Sequence, residues 1–306
     1  MTIEISAVAA FMATHARILD RRRFQLLVEG PDADVAGALS ALDAYRNPDG
    51  GYGWGLECDL RTPESQPGTA LHAFETLTEI AAVAGDDWIG RVASRASALC
   101  DWLGSVSLPD GGLPMALRPL GVEEGSAPWW ASADPASSSL QITSVSAATA
   151  HTLAKHVPAL ARHPWLERAT RYCLDAIAAI DEAPHAYVLS FAVRFLDAVY
   201  DTHPEASGLL SKLAQYIPES GTLPVEGGTE NEMLRPLDLA PFPGRPARSL
   251  LDRKVIEADL DRLAAEQRDD GGWTVDYATI SPAGALDWRG YITVHAVTVL
   301  RANGRM

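Results

Sequence analysis

Apolar positions recur at helical spacing along nearly the whole chain. Val8, Phe11, Met12, His15 and Ile18 line one side of a segment over 6–19, and Val35, Leu39, Leu42 and Tyr45 line one over 33–45. Leu71, Phe74, Leu77 and Ile80 repeat the pattern over 68–80. Further helices are predicted over 88–103, 140–156, 164–180, 205–216 and 291–302, with two more between 248 and 266. The segment 185–200 is apolar almost all round (Val188, Leu189, Phe191, Phe195, Leu196, Val199), which predicts burial on most sides. The segment 140–156 instead carries Thr143, Ser144, Ser146, Ala147 and Ala150, a small polar face suited to tight packing or to a cavity wall. No stretch alternates convincingly like a strand, and Ile292-Thr293-Val294 is read within the last helix. The expectation is one all-α domain over 1–306.

The interruptions are regular too. Asp49-Gly50-Gly51-Tyr52, Asp110-Gly111-Gly112-Leu113 and Asp270-Gly271-Gly272-Trp273 each follow a predicted helix. Asp-Gly-Gly is turn chemistry, because glycine takes positive φ without steric cost. A degenerate version occupies Pro218, Glu219, Ser220 and Gly221. A recurring corner implies a recurring helical hairpin. Two long segments stay irregular. One covers 117–139, with Pro119, Gly121, Gly125, Pro128 and Pro135, and holds Trp129 and Trp130; it either packs over a core edge or roofs a pocket. The other covers 226–246, with Glu226, Glu230, Glu232, Arg235, Asp238 and Arg245.

Composition narrows the classes. A net charge of −15 argues against nucleic acid as a partner. Arg21, Arg22 and Arg23 form the one basic cluster and read as a helix C-terminus. Cys58, Cys100 and Cys173 are odd in number and widely spaced, a usage that fits a reducing cytoplasm. The first residues lack the features of a signal peptide, and no apolar run reaches the ~20 residues of a membrane helix. A soluble, cytoplasmic protein is expected.

Gln267-Arg268-Asp269-Asp270-Gly271-Gly272-Trp273 resembles the QW repeat, Gln-x-x-x-Gly-x-Trp, of squalene-hopene and related triterpene cyclases. The Asp-Gly-Gly-aromatic form is also similar to repeats of protein prenyltransferase β subunits. The other two corners are partial copies, with Arg46 and Ser107 in place of Gln267. The resemblance implies an α/α toroid of about six helical hairpins around a central cavity, and a terpene-cyclase-like activity on an isoprenoid or similar apolar substrate. The family's catalytic signatures are not repeated. Asp259-Leu260-Asp261-Arg262 departs from Asp-x-Asp-Asp at its last position. Cys58, Asp59 and His72 are the residue types of the prenyltransferase zinc site without its spacing. No Asp-rich diphosphate motif, P-loop, Rossmann fingerprint or HExxH occurs, so neither a cofactor nor a metal is called for.

Candidate chemistry centres on Glu57 and Asp59, two carboxylates beside Arg61 and followed by Glu64 and Gln66. Such a group can split carboxyl pKa values, one acid protonated and the other ionised against the arginine. The plainer reading is a loop salt bridge or a helix cap. His72 is placed to look into the same cavity. Trp54, Trp129, Trp130, Trp273 and Trp288 are candidate faces for a carbocation, or wedges between hairpins. Arg235, Arg245, Arg248 and Arg289 are candidate anion binders, or partners of the abundant acids. Three functions remain open: a cyclase with Asp59 or Glu57 as general acid, a carbohydrate enzyme with paired carboxylates, and a non-catalytic binding scaffold.

Overall fold

The computed structural model describes residues 3–117 and 126–306. Pro119, Gly121 and Gly125 of the first irregular segment lie outside them. The described residues form an all-α protein with thirteen helices: α1 (Ile5–His15), α2 (Ile18–Glu29), α3 (Val35–Asp43), α4 (Ala70–Val83), α5 (Asp86–Val106), α6 (Pro128–Ala131), α7 (Leu140–Ala154), α8 (Pro164–Ala178), α9 (Ala186–Val199), α10 (Glu205–Ala214), α11 (Pro236–Leu239), α12 (Arg253–Ala265) and α13 (Pro282–Ala302). No helix among them is long and apolar enough to cross a membrane. The residues cluster into two compact units, 25–179 and 1–24 with 180–306.

Within the unit over 25–179, α4 packs on α3, α5 and α7, and α7 packs in turn on α8. The small polar face of α7 serves close packing. Thr143, Ser144 and Ser146 are buried, and Thr143 Oγ1 donates to the Ser139 carbonyl at 2.7 Å while accepting Leu113 N–H at 2.8 Å. Within the other unit, α9 packs on α10 and α11, α11 on α12, and both α1 and α12 on α13. Side-chain caps set several starts: Asp34 for α3, Ser139 for α7, Asp252 for α12 and Ser281 for α13.

Three departures from the expected elements have local causes. The helix over 6–19 ends at His15, and a separate helix, α2, carries Arg21, Arg22 and Arg23 in its middle rather than at a C-terminus. Its apolar stripe is broken because buried Leu19, Phe24 and Leu26 share that side with buried charges. Asp20 is buried against Arg17 at 2.7 Å and Arg23 at 3.7 Å, and the Arg23 guanidinium lies 5.1 Å from the Tyr291 ring. The last helix starts at Pro282, not 291. Pro282 sits in its first turn, where the missing N–H costs nothing, and Gly290 lets Asp20 approach. Between 248 and 266 there is one α-helix, α12, preceded by a 3-10 turn, Pro246–Leu250. A short antiparallel ladder, β1 (Leu223–Pro224) with β2 (Met233–Leu234), also appears where no strand was expected.

The three Asp-Gly-Gly corners are the same object. Gly50, Gly111 and Gly271 have φ of 94°, 92° and 92°. In each, the aspartate Oδ1 accepts the N–H of the second glycine, at 2.9 Å for Asp49, 3.0 Å for Asp110 and 3.1 Å for Asp270. The second glycine's carbonyl closes the turn by accepting from Asn47, Leu108 or Arg268 at 2.8–2.9 Å. The first glycine presses on a carbonyl of a neighbouring helix. A Cβ at Gly50 would stand 2.7 Å from the Ala98 oxygen, one at Gly111 3.0 Å from that of Arg168, and one at Gly271 would overlap that of Ala7. The residue after the pair, Tyr52, Leu113 or Trp273, is buried. The degenerate corner keeps the bend: Gly221 has φ 67° and donates to the Pro218 carbonyl at 2.8 Å.

Gly111→Ala therefore combines a left-handed alanine with a carbonyl collision, and is expected to cost about 2 kcal/mol or more. Gly90→Ala in α5, where an added Cβ meets nothing within 4 Å, is expected to raise stability by about 0.5–1 kcal/mol. Thermal melts of the two variants should move in opposite directions.

Candidate functional site

The run after the first corner folds back under α4. His72, on the first turns of α4, directs Nε2 at Glu57 Oε2 across 2.9 Å, with both side chains buried. Trp130 of the single turn α6 donates its indole N–H to Asp59 Oδ1 at 2.8 Å. The backbone holds the same two segments together, through Ala127 N–H to the Asp59 carbonyl at 2.7 Å and Arg61 N–H to Ser126 Oγ at 2.9 Å. A Cβ on Gly68 would meet the outer edge of the Trp130 ring at 3.0 Å, so the indole packs closely against the turn that opens α4. The segment carrying Trp130 thus packs over Asp59.

Glu57 and Asp59 are only 5% and 6% exposed, and their proton inventories differ. Burial works to raise the Glu57 carboxyl, but the His72 charge, with hydrogen bonds from His72 and Asp59, outweighs it and holds Glu57 below the ordinary range. For Asp59, burial and then the adjacent Glu57 charge push the carboxyl up to about 8. Burial works to lower His72, but Glu57 and then Glu75 raise it to about 9. At neutral pH the group is Glu57 ionised, His72 cationic and Asp59 neutral. Among the described residues Glu57 Oε1 finds no donor while both acids are ionised. A proton on Asp59 supplies one, and the Asp59 carboxyl does hydrogen-bond Glu57.

The expected split between two carboxyls is therefore present, with a different counter-ion. His72, not Arg61, faces Glu57. The Arg61 guanidinium folds back toward the Cys58 carbonyl at 3.5 Å and lies beside Gly55. Gln66 is buried and its Oε1 accepts Leu117 N–H at 2.9 Å, tying the two irregular stretches together. Glu64 accepts the Thr62 hydroxyl at the half-exposed edge.

The remaining sequence candidates are not brought to this site. Trp129 points outward, 40% exposed. Trp54 is 59% exposed on a left-handed backbone, φ 57°, its indole N–H bonded to Asn47 Oδ1 at 2.8 Å, so it is neither wedge nor cavity face. Trp273 is the wedge: it is buried and donates to the Leu263 carbonyl at 2.8 Å. Gln267 completes that corner, its Oε1 accepting Glu4 N–H at 3.0 Å and its Nε2 donating to the Gly271 carbonyl at 3.2 Å. Trp288 and Arg289 belong to α13. Trp288 packs edge-on with Tyr277 and Tyr291, and Arg289 bonds Asp270 at 2.8 Å and the Trp273 carbonyl at 3.2 Å. Arg235 pairs with Asp276 at 3.1 Å, Arg245 with Asp197 at 3.1 Å and Asp201 at 3.2 Å, and Arg248 bonds the Pro241 carbonyl. His185 caps α9 through Nδ1, which accepts Tyr187 N–H at 3.3 Å. No protein-family model matches the chain, and no curated protein matches it as a relative.

The proton inventory fixes a pH dependence. Asp59 keeps its proton to about pH 8 when folded and loses it near 3.8 when unfolded, and His72 titrates at about 9 against 6.5. The native state thus binds more protons through both windows, so their stabilisation is complete at low pH and lost as pH rises to 8 and 9. Glu57 has the opposite sign, its contribution being lost in acid. The melting temperature is expected to fall between pH 6.5 and 9. Asp59→Asn should flatten that fall, since an amide gives Glu57 a permanent donor and still accepts from Trp130. Glu57→Gln leaves the His72 charge with only Glu75, 3.8 Å from Nδ1, and is expected to cost about 1–3 kcal/mol at pH 6.5, read by thermal or chemical denaturation.

Proposed function

We propose that this chain is a cytoplasmic, terpene-cyclase-like acid catalyst built on a closed α/α toroid, with Asp59 as proton donor to an isoprenoid or similar apolar substrate. The carrying observation is the buried Asp59 carboxyl, held neutral by burial and by Glu57. A neutral carboxylic acid in a dry site is what alkene protonation requires. The alkene π pair takes the Asp59 proton, a tertiary carbocation forms, and Asp59 is left as a carboxylate. That carboxylate keeps the Trp130 N–H as a donor, and the His72 cation, bonded to Glu57, also favours its charge. Loss of a proton from a neighbouring carbon back to Asp59 closes the cycle as an isomerisation or cyclisation. Because Asp59 is almost wholly covered, the Trp130 indole must move aside for substrate to reach it. The recurrent corners and their buried wedge residues support the ring, and three buried free thiols fit a reducing compartment.

The carbohydrate reading loses ground on geometry. Glycosidase carboxyls stand ~5 to 9 Å apart so that an anomeric carbon or a water fits between them, whereas Glu57 and Asp59 hydrogen-bond each other. The scaffold reading keeps one observation in its favour: Arg235, Arg245 and Arg289 are all spent on acids of the protein itself.

Incubation with polyprenyl diphosphates, alcohols and epoxides in heavy water tests the proposal. Wild type is expected to place solvent deuterium on an alkene carbon, read by mass spectrometry. Asp59→Asn should lower that rate by ~100-fold or more while folding normally. Equal turnover by Asp59→Asn and wild type would remove Asp59 as the acid. Binding without deuterium uptake in any variant would favour the scaffold.

A further inference from the structure

The unit over 1–24 and 180–306 holds a cavity of about 100 Å³ between α9, α11 and α13. Its wall contains two opposite charges that do not meet. Arg194 comes from α9 and Asp238 from α11, and both line the cavity. Among the described residues the Arg194 guanidinium makes no ion pair, and its one ring contact is Phe191, with Cζ 5.9 Å from the ring centroid. Contact through a guanidinium face leaves the N–H fork at its edge available for a carboxylate. Asp238 accepts Arg235 N–H at 2.7 Å, and burial raises its carboxyl to about 6, Arg262 offsetting this only in part. It is thus ionised at neutral pH and short of a cation. The rest of the wall is mostly apolar or aromatic, including Tyr187, Phe191 and Leu237, with His295 and with Ser190, whose hydroxyl donates to the Asp238 carbonyl at 3.0 Å. Tyr187 spends its hydroxyl on Glu232 at 2.9 Å, which turns its ring toward packing.

This arrangement differs from the way the chain treats several of its other half-buried arginines. Arg235, Arg245, Arg262 and Arg289 each pair with an acid at 3.1 Å or less. In a chain with 40 acidic and 25 basic residues Arg194 meets no carboxylate, and unlike Arg248, which bonds the Pro241 carbonyl and Asn303 Oδ1, it makes no hydrogen bond among the described residues. We infer that the cavity binds a small zwitterion of the α-amino-acid class, its carboxylate on Arg194, its ammonium on Asp238 and a short apolar side chain against Phe191 and Leu237. A water needs about 10–15 Å³ of such space, so a cavity of 100 Å³ takes a ligand of roughly seven or eight heavy atoms. Neither charge alone accounts for the wall: a bare carboxylate would face Asp238, and a bare amine would face Arg194. The site is independent of the Asp59 acid, whose residues all lie in the other unit.

Calorimetric titration of the full chain with L-valine, isobutyrate and isobutylamine tests this. Valine is expected to bind at least about tenfold more tightly than either monofunctional analogue. Arg194→Gln should abolish valine binding, and Arg194→Lys, which keeps the charge without the fork, should weaken it. Asp238→Asn retains an acceptor for Arg235 N–H and is expected to fold. It should weaken valine and remove the discrimination against isobutyrate. Melting curves of each variant separate loss of binding from loss of fold. Isobutyrate binding as tightly as valine would overturn the zwitterion assignment. So would valine binding unchanged by Arg194→Gln, or no heat from valine at millimolar concentration.

Discussion

The structure depends on how closely a glycine can bring one helix's end to another helix's side. At each Asp-Gly-Gly corner the first glycine stands in the left-handed region and touches a backbone carbonyl across the interface. The aspartate then takes the next N–H, so the turn satisfies its own polar groups while buried. These two conditions leave little freedom in the direction of the outgoing chain. The following residue is driven into the core as Tyr52, Leu113 or Trp273. Everything downstream inherits that direction, including the run from Gly53 to Arg61 that passes beneath α4.

That run explains why charges can be buried there at all. A lone carboxylate under α4 would be costly, and two would be worse. The chain places His72 two residues into α4, where it neutralises Glu57, and leaves Asp59 with its proton. The group is then electrically neutral while containing three titratable side chains. Neutrality makes burial affordable, and the His72 charge beside Glu57 decides which acid keeps the proton. Trp130 adds a donor to Asp59, which partly opposes the rise, but burial and the Glu57 charge prevail.

How much of this could be read from the chain varies with the kind of interaction. Corners and helices with apolar stripes are local, and 33–45, 140–156 and 164–180 correspond closely to α3, α7 and α8. The helix α2 was invisible because its buried face interrupts Leu19, Phe24 and Leu26 with an ion network of Arg17, Asp20 and Arg23, which reads as surface. Pro282 and Gly290 punctuate a loop in sequence but serve a helix start and a close approach in space. The pairing of two acids two residues apart was local and therefore legible. The partners were not: His72 lies 15 residues from Glu57, and Trp130 lies 71 from Asp59. Arg61 was the nearer cation in sequence, yet its backbone N–H is taken by Ser126 and its guanidinium lies by the Cys58 carbonyl. The face that His72 shares with Gln66 and Pro67 pointed it toward the same cavity, without naming Glu57 as its partner.

The two charged sites illustrate opposite uses of the same constraint. Around Asp59 the ions touch, so their fields cancel at short range and the site is arranged to hold or release a proton. Around Arg194 and Asp238 the ions stand apart across a cavity, so each keeps its field directed into the space between them. Two half-buried opposite charges left separated are less favourable than a pair that meets, because neither gains a counter-charge for the water it has given up. The raised Asp238 carboxyl is the visible part of that cost. A dipolar guest of matching length removes it at both ends at once. A guest with one charge removes it at one end and worsens it at the other, which is why charge pattern rather than size sets the selectivity of this cavity.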